Sequence, residues 1–466
     1  MIGLQRKVFL SGIGGIGMAN LAVLLKQAGF AVSGSDGKVY EPAATILRSN
    51  AIPVLTPYAA ANLPLDGTTV IVGNALSRGH VEVEAALDSG VPLYSFPEFL
   101  HRVVLNGRHT IVVAGTHGKS TTTTCLAHLL TAVGEDPGFL VGALPLDFPA
   151  GAQIGNGDAP FILEGDEYDT AFFDKRSKFL HYFPRTLVLG SVEFDHADIF
   201  ATESEMLVSF QRLIRLLPRS GQLIYAADCP ATVRLTDNAP CRKIGVGTSE
   251  NAEWKLLPDS NLLAFRTPEG ELHRCRFRLP GIHNRQNALM SIACAHSLGV
   301  SVSDLCSAIE SFHGLRRRME KLLETERLVV IDDFAHHPTA IWATLQAVRE
   351  AYPQHRLIAV LEPRSNTMVR NVFQDTLADA LSVADSVIVG TVHRRERIPI
   401  EQRLDVDKLV NDLNTRGVSA MVAENSDVPA GLRNLMDHRP SVVVFMSNGD
   451  FDGAPSEFVR LMTSSG

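Results

Sequence analysis

The chain has 466 residues, 45% of them hydrophobic and 20% charged, a balance that excludes a mainly disordered protein. Lys+Arg 43 against Asp+Glu 51 leaves a net charge of −8, so the bulk positive field of a nucleic-acid binder is missing and no nucleic-acid partner is expected. No stretch approaches the roughly 18 apolar residues of a membrane span, and the six scattered cysteines, with no CxxC pair, argue against a disulfide framework or a cysteine zinc site and for a reducing cytoplasm.

In chain order, the strand candidate Val8–Leu10 leads into Ser11–Gly12–Ile13–Gly14–Gly15–Ile16–Gly17 and then a helix over Met18–Gln27. Leu21, Leu24, Leu25 and Ala28 share one face of that helix, and Gly29 stands where a helix-terminating glycine belongs. Gly12, Gly14 and Gly17 match GxGxxG, with Asp36 19 residues beyond the last glycine. Glycines let the backbone approach an anion at a helix N-terminus, and the acid suits a ribose hydroxyl. That pattern describes a diphosphate carrying a ribose: NAD and a UDP-sugar fit equally, and a tight turn without ligand is the plain alternative.

A second strand–loop–helix unit opens at Thr110–Val113, followed by Ala114–Gly115–Thr116–His117–Gly118–Lys119–Ser120–Thr121. It is a shortened P-loop, since Val113 stands where the first glycine would be. Lys119 suits phosphate charge and the Ser120 hydroxyl suits Mg²⁺. After the strand Phe161–Leu163 comes Glu164–Gly165–Asp166–Glu167–Tyr168–Asp169, a carboxylate cluster fit for Mg²⁺ or simply a solvated acidic turn. Thr186–Leu189 precedes Glu193–Phe194–Asp195–His196–Ala197–Asp198, where His196 is a second-metal candidate. Residues 220–280 read as strands and turns.

Beyond His313–Leu315 lie Arg316–Arg317–Arg318 and the strand Leu328–Ile331, then Asp332–Asp333 and His336–His337. Zinc is disfavoured there, because neighbouring histidines diverge and no further ligand has zinc spacing. Asp333 reads as a ribose acceptor, and an arginine of the triplet as a bidentate phosphate partner or part of a solvated face. Leu357–Leu361 and Ser441–Phe445 are further buried strands. Strands alternating with helices predict an α/β protein with parallel sheets. Three domains are expected at 1–106, 107–313 and 314–466. Two phosphate loops in separate units suit an enzyme that activates a nucleotide-linked substrate with ATP. A dehydrogenase needs only the first loop, and a UDP-sugar sensor leaves the second unexplained.

Together GTHGKS, EFDHADIF, HNRQNA (283–288), the arginine triplet and DDFAHHPT resemble the Mur ligase family, in order and along essentially the whole chain. The resemblance implies a Rossmann-like UDP-sugar domain, a central P-loop ATPase-type domain and a Rossmann-like C-terminal domain. It implies cytoplasmic, ATP- and Mg²⁺-dependent amide ligation on UDP-N-acetylmuramate, in cell-wall biogenesis. The runs 162–186, 361–368 and 445–453 are similar to the branch that recycles the murein tripeptide, L-Ala-γ-D-Glu-meso-diaminopimelate, and less to the branch that adds free L-alanine. Carried over by position, Gly12, Gly14, Gly15, Gly17, Asp36 and Asn74 would hold the UDP-sugar. Gly115 to Thr121, with Lys119 central, would hold ATP, along with His283, Asn284, Asn287, Arg317 and Asp333. Ser120, Glu164 and His196 would hold metal, with Lys119, His196 and Arg317 catalytic. Arg364, Ser365, Asn366 and Thr367 would meet the peptide. Several family members carry a carbamylated lysine about 15 residues after the histidine matching His196; Gln211 stands there instead.

Overall fold

The computed structural model describes residues 6–195, 199–200, 202–259 and 262–464. Its three main sheets follow one another along the chain. The first holds β1 (Lys7–Ser11), β2 (Ala31–Ser35), β3 (Val54–Leu55), β4 (Thr68–Val72) and β5 (Leu93–Ser95). Their spatial order is β3-β2-β1-β4-β5, parallel throughout. The strand order reverses between β1 and β4, the place where doubly wound sheets bind ligands beyond the strands' carboxyl ends. The helix α1 (Ile16–Gln27) leaves β1 there and buries Leu21, Leu24 and Leu25 as its periodicity predicts; Gly29 follows it at φ +86°.

The central sheet has ten strands: β6 (Thr110–Ala114), β7 (Gly138–Leu140), β8 (Ala152–Gln153), β9 (Phe161–Glu164), β12 (Thr186–Leu189), β13 (Gln222–Ala226), β14 (Arg242–Gly247), β15 (Trp254–Leu256), β16 (Leu262–Arg266) and β17 (Leu272–Arg276). A separate hairpin pairs β10 (Asp169–Ala171) with β11 (Asp174–Ser177). β6 lies between β9 and β12, in parallel with both, which buries it on both faces and explains its unbroken β-branched run. The turn-rich segment expected at 220–280 becomes β13 to β17, with antiparallel pairing at the far edge. Cys275 of β17 and Cys306 are paired, their Cα atoms 5.4 Å apart, while Cys125, Cys229, Cys241 and Cys294 are free; a single pair is not the framework that the scattered cysteines argue against. The paired two are 31 residues apart in sequence, too far for spacing alone to pair them.

The third sheet contains β18 (Glu320–Glu324), β19 (Leu328–Asp333), β20 (Arg356–Leu361), β21 (Ser386–Val389), β22 (Ser419–Val422) and β23 (Ser441–Met446), ordered β18-β19-β23-β20-β21-β22. Only β18 is antiparallel. The carboxyl ends of β19, β20, β21 and β23 therefore lie together, and the loops after them face the central sheet. No helix among the described residues is long and apolar enough to cross a membrane.

Candidate active site

A cleft of about 890 Å³ lies between the central and third sheets. On one wall lie Thr116 to Thr121, on the N-terminus of the helix Lys119–Ala132. Gly118 starts that helix at φ +76°, and a Cβ there would fall 2.4 Å from Asn287 Oδ1. Only glycine lets the loop and the helix Ile282–Ser297 approach so closely. His283, Asn284 and Asn287 thereby join the same cleft. Gly115 does not line it; its carbonyl accepts a hydrogen bond from Lys119 Nζ at 2.7 Å.

Lys119 also pairs with Glu167, at 3.0 Å. Burial alone would depress its pKa, but Glu167, Asp166 and Glu164 outweigh burial and hold the ammonium above its ordinary value. Ser120 Oγ donates to Glu164 Oε1 at 2.7 Å, and Gly142 N donates to Glu164 Oε2 at 2.8 Å. A hydroxyl and a carboxylate this close form an oxygen donor set suited to Mg²⁺. His196 lies outside the described residues. Gln211 is exposed on the helix Glu203–Arg215 and does not line the cleft.

The third domain forms the opposite wall. Asp333, at the end of β19, accepts from Met319 N at 2.8 Å, Ala335 N at 2.9 Å and Thr344 Oγ1 at 3.1 Å. The expected ribose acceptor thus also fixes the strand-to-helix turn. The arginine placement differs from expectation. Arg317, at φ +58°, turns to Asp332 Oδ2 at 3.2 Å and Ser447 O at 2.7 Å, whereas Arg318 lines the cleft over the Phe334 ring. Arg364, Ser365, Asn366 and Thr367 all line it. Arg364 is steered by Glu362, which is 1% exposed and accepts from Arg364 Nη1 at 3.2 Å and from Asn425 Nδ2 at 3.2 Å. Arg370, Arg394 and Arg397 add positive charge to the same wall. Nothing in the sequence marks the last two beyond a charge run that reads as a solvated face.

Cross-cleft contacts join the walls. Thr339 Oγ1 donates to Glu193 Oε2 at 2.7 Å, and Thr367 Oγ1 donates to Asp195 Oδ1 at 3.2 Å. The His117 imidazole, 3.4 Å from its carboxylate, and the Thr339 hydroxyl, against the opposing effect of burial, bring the pKa of Glu193 down to about 2. Burial and the nearby His117 bring His337 down to about 4. His117, Glu193 and His337 gather their ligand atoms within 4.8 Å of one another. Histidines 220 residues apart in sequence are beyond any local spacing rule, so this grouping leaves no trace in the sequence pattern. His336 itself points elsewhere, with Nδ1 2.8 Å from Phe334 O.

The glycine loop of the first domain does not line this cleft. Gly12, Gly14, Gly15 and Gly17 sit beyond β1 at the reversal point of the first sheet, with Asn74 just beyond β4. Asp36 Oδ2 accepts from Gly14 N at 2.7 Å, so this acid shapes the loop directly. Asn74 Oδ1 is buried without a hydrogen-bond partner among the described residues, as an atom awaiting a ligand would be. Glu82 was invisible in the sequence, where it reads as a solvated helix acid. It is 1% exposed and accepts from Ser11 and Ser35 hydroxyls at 2.5 Å, Ala59 N at 3.2 Å and Asn62 Nδ2 at 3.0 Å. It ties the ends of β1 and β2 together beneath the loop.

The three-sheet order and the P-loop cleft agree with three family models. They match residues 9–108 (Mur ligase family, catalytic domain), 113–295 (Mur ligase middle domain) and 317–449 (Mur ligase, glutamate ligase domain). The chain belongs to the Mur ligase family. As a Mur ligase it is an ATP-dependent enzyme that forms amide bonds. The UDP-N-acetylmuramate–L-alanyl-γ-D-glutamyl-meso-2,6-diaminoheptandioate ligase of Escherichia coli (strain K12) is 41% identical over 395 residues, 82% of this chain and 84% of that one. The UDP-N-acetylmuramate–L-alanine ligase of Rubrobacter xylanophilus is 32% identical over 97% of this chain and 99% of its own. The crystal structure of a murein peptide ligase from Psychrobacter arcticus superposes with a TM-score of 0.74, at 33% identity, covering 97% of this chain and 98% of that one.

Proposed function

We propose that this Mur ligase joins UDP-N-acetylmuramate to the tripeptide L-Ala-γ-D-Glu-meso-diaminopimelate, returning a recycled peptide to the cell-wall precursor pool. The observation that carries the reading is the arginine wall: Arg364, Arg394 and Arg397 face the cleft opposite the P-loop. The tripeptide offers three free carboxylates, free L-alanine only one, so several guanidiniums suit the longer acceptor. The higher identity to the tripeptide ligase than to the alanine ligase supports the same choice.

The lactyl carboxylate of the sugar attacks the γ-phosphorus of ATP; ADP leaves and an acyl phosphate forms. The alanyl amine then attacks the acyl carbon, and inorganic phosphate departs from the tetrahedral intermediate. The protein's task is positioning and charge neutralisation. Lys119 exchanges Glu167 for phosphate oxygens, and Arg318 meets them from the other wall. Asn287, His283 and Asn284 border the nucleoside. Ser120 and Glu164 would hold Mg²⁺, which would supply charge neutralisation to the phosphates. Gly12 to Gly17, Asp36 and Asn74 hold the UDP moiety. Domain limits at 106/107 and 313/314 go with this reading.

The test is phosphate release with ATP, UDP-N-acetylmuramate and one acceptor at a time. Turnover is expected with the tripeptide and not with L-alanine. The reverse result assigns the chain to the alanine-adding branch.

A further inference from the structure

His117 belongs to the ATP loop, but the scheme above gives His117, Glu193 and His337 no joint role. Its members come from three places: the P-loop, the loop after β12, and the residue that caps the helix Pro338–Ala351 of the third domain. His117 Nε2 lies 3.4 Å from Glu193 Oε2, and His337 Nδ1 lies 3.8 Å from the same oxygen. All three ligand atoms fall within 4.8 Å of one another. A tetrahedral zinc ion with bonds of about 2.0–2.1 Å spaces its ligand atoms about 3.3 Å apart. Small side-chain rotations therefore separate the present arrangement from a ligating one.

A second observation points to the same place. The buried Nε2 of His117 makes no hydrogen bond of acceptable geometry among the described residues; its near neighbour is the Glu193 carboxylate. A polar atom buried in this way calls for a partner. Two imidazoles and a carboxylate are the donors of open, three-ligand zinc sites, whereas Mg²⁺ prefers oxygen alone. We infer that His117, Glu193 and His337 bind one divalent transition-metal ion of the zinc class, apart from the oxygen site at Ser120 and Glu164, and that the ion ties the third domain to the P-loop.

Existing hydrogen bonds leave room for it. Glu193 Oε2 accepts from Thr339 Oγ1 at 2.7 Å, and a carboxylate oxygen keeps a second lone pair. His337 Nδ1 accepts from Thr339 N at the long distance of 3.3 Å, a weak bond that ligation replaces. Water completes the fourth position. Because His337 belongs to the third domain and His117 to the central one, the ion binds only the juxtaposed arrangement and favours it over an open one.

The experiment uses the full-length protein, stripped with a chelator and held in millimolar Mg²⁺ to occupy oxygen sites. Co²⁺ is titrated in and the visible spectrum recorded. One equivalent is expected to give the intense bands of four-coordinate Co²⁺, erased by added Zn²⁺. His337→Gln, Glu193→Gln and His117→Gln should each weaken binding by more than about 100-fold, since loss of a supporting residue alone costs 10–100-fold. Their unfolding temperatures in chelator identify any variant that fails to fold. Glu164→Gln should leave the Co²⁺ spectrum unchanged. The inference is overturned if wild-type Co²⁺ stays six-coordinate, if the bands survive in all folded ligand variants, or if Glu164→Gln removes them. None of these readouts depends on the ligase reaction, so failure here leaves the acceptor assignment standing.

Discussion

Two neighbouring glycines separate fold from ligand in the first domain. A Cβ at Gly14 would meet Asp36 Oδ2 at 2.7 Å, while one at Gly15 meets nothing within 4 Å. Gly15 has φ −75° and ψ 145°, a conformation alanine adopts freely. Gly14→Ala should therefore lower stability by about 1–3 kcal/mol and weaken UDP-sugar binding. Gly15→Ala should hold stability within about 0.5 kcal/mol and weaken binding alone, because its methyl enters only ligand space. Thermal unfolding with UDP titration distinguishes them; equal destabilisation by both would remove the loop's assignment. At the second loop the deciding pair is Lys119 and Glu167. Lys119→Ala should abolish phosphate release. It should also cost about 3 kcal/mol of stability, since Glu167, 2% exposed, loses its lysine. Lys119→Ala/Glu167→Gln should recover much of the unfolding temperature but none of the turnover. Recovery of turnover would show that the lysine serves only as a counter-ion.

At the scale of elements, the helix Ile282–Ser297 presents His283 in its first turn, where the helix dipole disfavours a cation. Burial, then the charges of Arg285, His117 and Arg318, push its pKa down to about 4. Between pH 6.5 and 4 the unfolded chain binds a proton that the native imidazole refuses. Stability should fall as pH drops through this window, by up to about 3 kcal/mol from this residue. His283→Gln should flatten the dependence of the urea midpoint on pH there; an unchanged slope would place the titration elsewhere. Elements of this kind were legible where burial imposed a pattern. The runs at Val8–Leu10, Thr110–Val113, Leu357–Leu361 and Ser441–Phe445 all became central parallel strands, because strands covered on both faces need continuous apolar side chains. What depended on backbone direction was not legible. Positive φ at Arg317 and Met319 turns one arginine away and exposes its neighbour, a choice that three identical residues cannot encode. Nor was Arg394, itself at φ +51°, distinguishable from an ordinary solvated charge.

For the whole molecule, the cores divide the chain unevenly. One continuous apolar cluster runs from Val8 and Leu25 of the first domain to Leu163 and Leu235 of the second. Polar contacts reinforce this union: Asn20 Nδ2 donates to Val141 O at 2.9 Å, and Ile154 N donates to Gln27 Oε1 at 2.9 Å. α1 is therefore shared between domains. The third domain keeps its own clusters, drawn from residues 319–458. Its ties to the rest include the linker bonds Leu146 N to Gly314 O and Arg316 N to Leu144 O, plus the hydrogen bonds across the cleft. Folding units follow shared apolar burial more than sheet count. Three sheets should accordingly melt as two units, the first and second domains together and the third apart. Calorimetry in chelator should resolve two transitions. UDP at 100 times its dissociation constant should stabilise the larger unit by about 2.7 kcal/mol and leave the other in place, because the glycine loop belongs to the shared core. Three transitions, or a UDP shift in both, would mean that the cluster through α1 does not couple its two domains and that the cleft contacts carry more of the cooperativity than their number implies.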